Sequence, residues 1–169
     1  SNNDAIGWGA SPEHDGSSAL IHFSESICRN TPVEVLEPNT GMFFERVELR
    51  TDSGGAGKYR GGLGLRRDIR FVSDGEFLTV MKKSKTRPWA LEGGLEPEAN
   101  TIIAFPGTDR EMRMSTKRVP VSAGDRISVL TAGGGGYGDP KTRDREKVRQ
   151  DVIDELVSPE MARKIYGWG

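Results

Sequence analysis

Residues 52–64, Asp-Ser-Gly-Gly-Ala-Gly-Lys-Tyr-Arg-Gly-Gly-Leu-Gly, hold six glycines interleaved with Asp52, Lys58, Tyr59 and Arg60. Glycine opens backbone conformations closed to other residues and lets a second group approach the chain closely. A random linker does not mix that many glycines with an acid and two cations. The segment therefore reads either as a loop that presents charge to a ligand or as a tight crossover that needs glycine for geometry alone.

Gly57-Lys58 resembles the end of a phosphate-binding loop, but such a loop needs a glycine where Asp52 stands and a Ser or Thr where Tyr59 stands. Gly62-Leu63-Gly64 lacks the third glycine of a dinucleotide loop, because Leu65-Arg66-Arg67 follows. The run Gly133–Gly136, Tyr137, Gly138 is followed by Asp139-Pro140, which sets a negative charge and a missing N–H where a phosphate would sit, so a structural turn is expected there. His14, His22 and Cys28 show neither Cys-x-x-Cys nor His-x-x-x-His spacing, so no metal site and no bound cofactor is expected from this chain alone. Ser24, Ser26 and Cys28 near His22 say little about a triad, whose members need not be close in sequence. Arg29, Asn30 and Glu34 flank Pro32, whose ring favours extended backbone; they present polar groups to a cleft or tie down a loop.

The elements that must position these residues are mostly strands. Met42–Arg50 carries Val47 and Leu49 on one face against charged residues, as a half-buried strand does. Residues 65–72 alternate Arg67, Ile69 and Phe71 with Arg66, Asp68 and Arg70. Ser73-Asp74-Gly75 is a hairpin signal before a strand at 77–81, and residues 101–105 and 126–131 are further strands. Pro120 suits an edge strand or a bulge. Towards the C-terminus the period becomes helical. Asp144 is placed as an N-cap before a stripe of Val148, Val152, Ile153 and Leu156. Ser158-Pro159-Glu160 starts a second helix, with Met161, Ala162, Ile165 and Tyr166 inward and Gly167 ending it. The fold class is α+β: β-rich, a mostly antiparallel sheet or partial barrel with a C-terminal helix–turn–helix. The divisions are an irregular lead-in over 1–31, a β-rich domain over 32–132 and a two-helix element over 133–169.

Composition supports one domain of 169 residues with 22 glycines and a net charge of −1. That balance supplies no cationic excess for nucleic acid or anionic lipid. The sequence holds no apolar run long enough to span a bilayer. Cys28 is the single cysteine, which excludes an internal disulfide and suggests a reducing, cytoplasmic setting.

Taken together, Gly7-Trp8-Gly9, Asn30–Glu37, Glu48–Gly62, Lys85-Thr86-Arg87-Pro88, Gly93-Gly94, Gly124-Asp125-Arg126, Thr131–Pro140 and Leu156–Glu160 resemble the C-terminal part of the hydantoinase B family. That family comprises B-type subunits or halves of ATP-dependent N-methylhydantoinases, 5-oxoprolinases and acetone or acetophenone carboxylases. The resemblance implies a segment of a multi-subunit, ATP-dependent hydrolase that opens a cyclic amide such as a hydantoin, 5-oxoproline or a lactam. A carboxylase subunit and a non-catalytic structural subunit are the alternatives.

An A-type subunit would use ATP with Mg to activate a small-molecule substrate. A complementary N-terminal B-type polypeptide would hold a divalent metal. The lead-in over 1–31 would belong to that larger part, and the chain alone would be inactive. Within this reading Asp52 and Arg60 position substrate or order their loop, and the amides of Gly54 and Gly55 face a developing oxyanion. His22, Arg29, Asn30 and Glu34 are the candidates for the substrate pocket.

Overall fold

The computed structural model describes residues 4–21 and 31–169. Helix α1 (Val33–Asn39) leads into β1 (Met42–Leu49) and β2 (Leu65–Phe71). Strands β3 (Gly75–Thr79), β4 (Thr101–Ala104), β5 (Met112–Met114), β6 (Lys117–Val121) and β7 (Arg126–Leu130) follow, and helices α2 (Arg145–Ile153) and α3 (Pro159–Tyr166) close the chain. The architecture is α+β, as expected. A five-stranded antiparallel sheet runs β1-β2-β7-β4-β5 and stays open, and β3 pairs with β6 as a separate ribbon.

The alternation read in β2 holds. Arg67, Ile69 and Phe71 are buried while Arg66, Asp68 and Arg70 are only partly so. Ile69 and Phe71 meet Ile102, Ile127 and Val129 of the same sheet, and Val119 and Val121 of the ribbon cover them. Phe71 and Phe77 pack edge to face, with ring centroids 6.1 Å apart. Pro120 lies in β6, whose one strand partner among the described residues is β3, so its missing N–H interrupts no central ladder.

Four expectations are corrected. Ser73-Asp74-Gly75 does not make a hairpin, because β2 pairs with β1 and β7 while β3 crosses to β6. A turn signal specifies a reversal, whereas the partner is decided by which apolar face must be covered. Val47 and Leu49 share the inner face with Arg67 and Leu65, their partners across the ladder, yet both are exposed. β1 is the edge strand, and its register shifts between Phe44 and Arg46, beyond which no described element covers it fully. The extended reading around Pro32 fails just after the proline. Pro32 is itself extended, and α1 begins at Val33 with Pro32 as its N-terminal flank. Ile153 is exposed, because α2 ends at that residue and Leu156 falls in the turn beyond.

The helix signals at the C-terminus are met. The Asp144 carboxylate accepts from the Glu146 and Lys147 amides, and the Ser158 hydroxyl accepts from the Met161 amide. Gly167 takes a left-handed conformation at φ 62°. Val148, Val157, Ala162 and Tyr166 form a second apolar cluster with Ala56 of the glycine loop. The helix pair is therefore the lid on that loop.

Candidate functional site

The loop at 52–64 is built into the interior. It lies against two other glycine-containing segments, residues 7–16 and 133–138, with main chain directly on main chain. The Gly55 amide donates to the Gly134 carbonyl (2.8 Å), the Gly61 amide to Gly55 (2.9 Å), and the Gly134 amide to Gly62 (2.9 Å). The Gly62 amide donates to Trp8 (2.8 Å) and the Gly136 amide to Leu95 (3.1 Å). A Cβ on Gly54 would overlap the Gly61 carbonyl, and one on Gly55 would stand 2.6 Å from the Gly136 nitrogen. The run at 133–136 is structural, but as an extended strip between two layers rather than a turn. The Gly55, Gly61 and Gly62 amides of the loop are thus spent on main-chain carbonyls.

Asp52 adopts φ 62° and ties the loop to the helix pair. Its carboxylate accepts from the Ser158 amide (2.8 Å), and its own amide donates to the Leu156 carbonyl (3.1 Å). Arg60 is buried and donates from Nε to Asp151 (3.4 Å) and from Nη1 to the Gly61 carbonyl (2.8 Å). Asp151 also accepts from Nε and Nη2 of Arg143 (3.1 and 2.8 Å). The other face of Arg143 donates to both oxygens of Asp15 (2.7 and 2.9 Å). Asp15 in turn accepts from the Arg60 amide (2.6 Å). Two guanidinium groups and two carboxylates thus form a charge-balanced clamp joining three stretches of chain, around residues 15, 60 and 143–151. Sequence reasoning missed Asp15, Arg143 and Asp151. The one available signal was Asp151, a carboxylate three residues after Val148 on the apolar face of α2.

The electrostatics follow from this geometry. Burial pushes the Asp15 carboxyl up, but the hydrogen bond and charge of Arg143, with Arg60, more than offset it and hold Asp15 below the usual carboxylate range. For Arg143, burial favours the neutral form, and Asp15 and Asp151 overturn it, raising its pKa. Burial pushes the Tyr166 phenol up to about 12, so it stays protonated beside the clamp.

A depressed folded-state pKa means that ionised Asp15 stabilises the fold. Its contribution is complete above the unfolded value, about 3.9, and is lost as pH falls through the folded one. Asp15→Asn is therefore expected to lower the urea midpoint at neutral pH and to flatten its fall below about pH 4. Midpoints measured across that range check this, and an unchanged acid limb would remove Asp15 from the clamp. Asp4 behaves oppositely. Its burial outweighs the nearby Arg67 (2.7 Å) and raises its pKa, so its ionisation opposes folding.

A cavity of about 660 Å³ opens on the inner face of the large sheet. Phe44, Ile69 and Phe71 form its floor, Phe77 and Met81 one wall, and Leu36 of α1 an edge. Neither Asp52 nor Arg60 lines it, nor do Gly54 and Gly55. Glu34 is exposed in the first turn of α1. His22, Arg29 and Asn30 lie outside the described residues. Among the described residues, no three His, Cys, Asp or Glu side chains converge to hold a metal, and no helix is long and apolar enough to cross a membrane.

The features above define a class of protein: an open antiparallel α+β module whose layers are joined by glycine backbone and a buried ionic clamp. The chain belongs to the hydantoinase B/oxoprolinase family, whose model matches residues 2–140. It is 32% identical over 141 residues to caprolactamase subunit beta of Pseudomonas jessenii, covering 80% of this chain and 24% of that one. The crystal structure of ATP-dependent caprolactamase from the same organism superposes with a TM-score of 0.79 at 28% identity, over 96% of this chain and 29% of the other. An acetone carboxylase in its nucleotide-free form gives a TM-score of 0.77 at 21% identity, over 96% and 26%, a likeness of fold. The chain spans about a quarter of the length of the first curated relatives it matches.

Proposed function

We propose that this chain is a segment of the B-type component of an ATP-dependent hydrolase that opens a cyclic amide. The observation that carries the reading is the likeness to ATP-dependent caprolactamase, in which sequence and fold agree over nearly the whole chain. In this reading an A-type partner uses ATP and Mg to activate the amide oxygen of a hydantoin, 5-oxoproline or lactam. A complementary B-type region supplies a divalent metal. The setting is cytoplasmic, and the chain alone is inactive.

Asp52 and Arg60 serve this enzyme by ordering the loop. Asp52 holds the first turn of α3, and Arg60 is bound within the clamp. The Gly55 amide is already bonded to Gly134, which favours a scaffolding role for the Gly54-Gly55 pair over oxyanion binding. In the assembled enzyme Asp52→Ala is expected to lower melting temperature and turnover together, since the lost hydrogen bond from the Ser158 amide to a charged acceptor is worth about 1.5–3 kcal/mol. A large fall in kcat at unchanged melting temperature would instead place Asp52 at the substrate.

The reaction class is tested on the complex with its A-type partner, given ATP, Mg and a lactam, hydantoin or 5-oxoproline in turn. The expected result is ADP and phosphate released in step with a ring-opened product that has gained one water. In a parallel assay with bicarbonate and a ketone such as acetone or acetophenone, bicarbonate-dependent ATP hydrolysis with a ketone product that has gained carbon dioxide would assign the carboxylase reading. Full activity of a complex lacking this segment would leave the structural-subunit reading.

A further inference from the structure

A second concavity, of about 670 Å³, lies away from the glycine layer. Arg50 follows β1, Lys85 and Arg87 come from the β3–β4 connection, Arg113 lies in β5, and Lys117 opens β6. Three separate stretches of chain, at residue 50, 85–87 and 113–117, therefore bring five cations to one hollow. Glu98 is the single carboxylate among the residues lining it. It stands 3.6 Å from Arg50 and 3.9 Å from Arg87, longer than hydrogen bonds. Among the described residues, Lys85, Arg113 and Lys117 form no ion pair with a carboxylate; the Lys117 ammonium lies 3.6 Å from the Met112 sulfur.

We propose that this groove, formed by Arg50, Lys85, Arg87, Arg113 and Lys117, is a binding site for a phosphate-class oxyanion. Arg50 is the fixed part of the site. It is partly buried, and its Nη1 donates to the Ala99 and Thr131 carbonyls (3.1 and 3.2 Å). Burial lowers its pKa; the like charges of Arg113 and Arg87 add to that against the pull of Glu98. An entering anion relieves this repulsion. Guanidinium forks match phosphate oxygens two at a time, and a cleft lined by one sign of charge concentrates such ligands. Ser84, Ser115 and Thr116 add neutral donors around the rim. A hollow of this volume falls in the range of small-molecule sites, about 300–1,000 Å³, which favours a small anion over an acidic polypeptide.

The groove also meets the apolar cavity at Asn100, which lines both. The Asn100 side chain is held by a hydrogen bond to the Lys82 carbonyl (2.7 Å) and one from the Ala132 amide (2.6 Å). A phosphate ester whose apolar group reached past Asn100 would use both hollows, whereas free phosphate uses the groove alone. The assignment does not depend on the ring-opening reading, because it rests on charge and shape in this chain.

Calorimetric titration of the full chain at low ionic strength, where screening is weak, tests the site with inorganic phosphate and with phenyl phosphate. Saturable binding is expected, weakened about tenfold or more by joint Arg87→Gln and Arg113→Gln substitution, since each removes a charge-assisted contact. All these side chains except Arg50 are exposed, so the variants keep the fold. Glu98→Gln is expected to tighten binding, a gain that misfolding cannot imitate. Tighter phenyl phosphate than phosphate identifies an organic ester as the ligand type, and the reverse identifies free phosphate. No saturation by about 10 mM, a millimolar-scale limit, would overturn the proposal. Binding untouched by all three substitutions would do so too, as would capture of an oligoglutamate peptide in preference to both phosphates.

Discussion

Replacing Gly134 by alanine is expected to lower the urea midpoint by more than about 1 M, the largest effect of any single methyl group added to this chain. An added Cβ would overlap the Trp8 carbonyl and stand 2.5 Å from the Gly9 nitrogen, both main-chain atoms that no rotamer change can withdraw. Gly61 faces the same strip from the other side, where a Cβ would overlap the Gly134 carbonyl and approach Gly135 O to 2.9 Å. Overpacking in a close-packed core costs about 1–3 kcal/mol when side chains can shift, and here the backbone must move, so the expected loss exceeds about 3 kcal/mol. Against a total of about 5–15 kcal/mol, that leaves little margin. Gly75→Ala is the control, because nothing lies within 4 Å of its Cβ position. Its midpoint should move by no more than a surface substitution does, about 0.5 kcal/mol. A Gly134 variant as stable as that control would mean the three segments have slack between them, and the glycine layer would lose its role as the join.

Removing Asp151 should have the next largest effect. Asp151→Ala deletes the carboxylate that both Arg60 and Arg143 share, with the side chain of Arg143 only 1% exposed and that of Arg60 7%. Breaking one partner of a buried pair costs about 3–5 kcal/mol, because the surviving charge stays desolvated. For a domain of this size each kcal/mol lowers the melting temperature by about 2–4 °C, so a fall of roughly 6–20 °C is expected. Glu146→Ala, which breaks the exposed pair with Arg149, should change it little, since such pairs are worth about 0–1 kcal/mol. Thermal unfolding followed by circular dichroism measures both. A shift for Asp151→Ala no greater than for Glu146→Ala would show that water reaches the two guanidinium groups.

Both predictions rest on features that the sequence displayed unevenly. The glycines at 54–64 and 133–138 stood out as two unusual segments, but nothing in their spacing said that they face each other. Close approach of backbones is a pairwise property, and each segment alone fits a turn or a ligand loop equally well. The clamp was hidden for a different reason. Asp15, Arg143 and Asp151 have exposed or partly exposed neighbours in sequence, Arg60 reads as one more charge in the glycine loop, and the α2–α3 lid closing over Ala56 brings the four together.

Local order could be read directly. The alternation in β2, the Asp144 and Ser158 caps and the left-handed Gly167 each depend on residues within a turn or a strand, where backbone sterics and short-range hydrogen bonds decide the outcome. The family was legible for the same reason, since its motifs are contiguous words. Strand partnership was not: β3 ignored its neighbour β2 and crossed to β6, because covering Ile69, Phe71 and Ile127 required an apolar ribbon on that face.

The sequence by itself determined the α+β class, the positions of most strands and of the two C-terminal helices, and the family. Only the tertiary structure decided that Asp52 and Arg60 bind to their own chain, and that cations spread from Arg50 to Lys117 share one groove. The physical reason is range. Hydrogen bonding and periodicity act along a few residues, whereas desolvation and charge act between whatever groups the fold brings within a few ångströms.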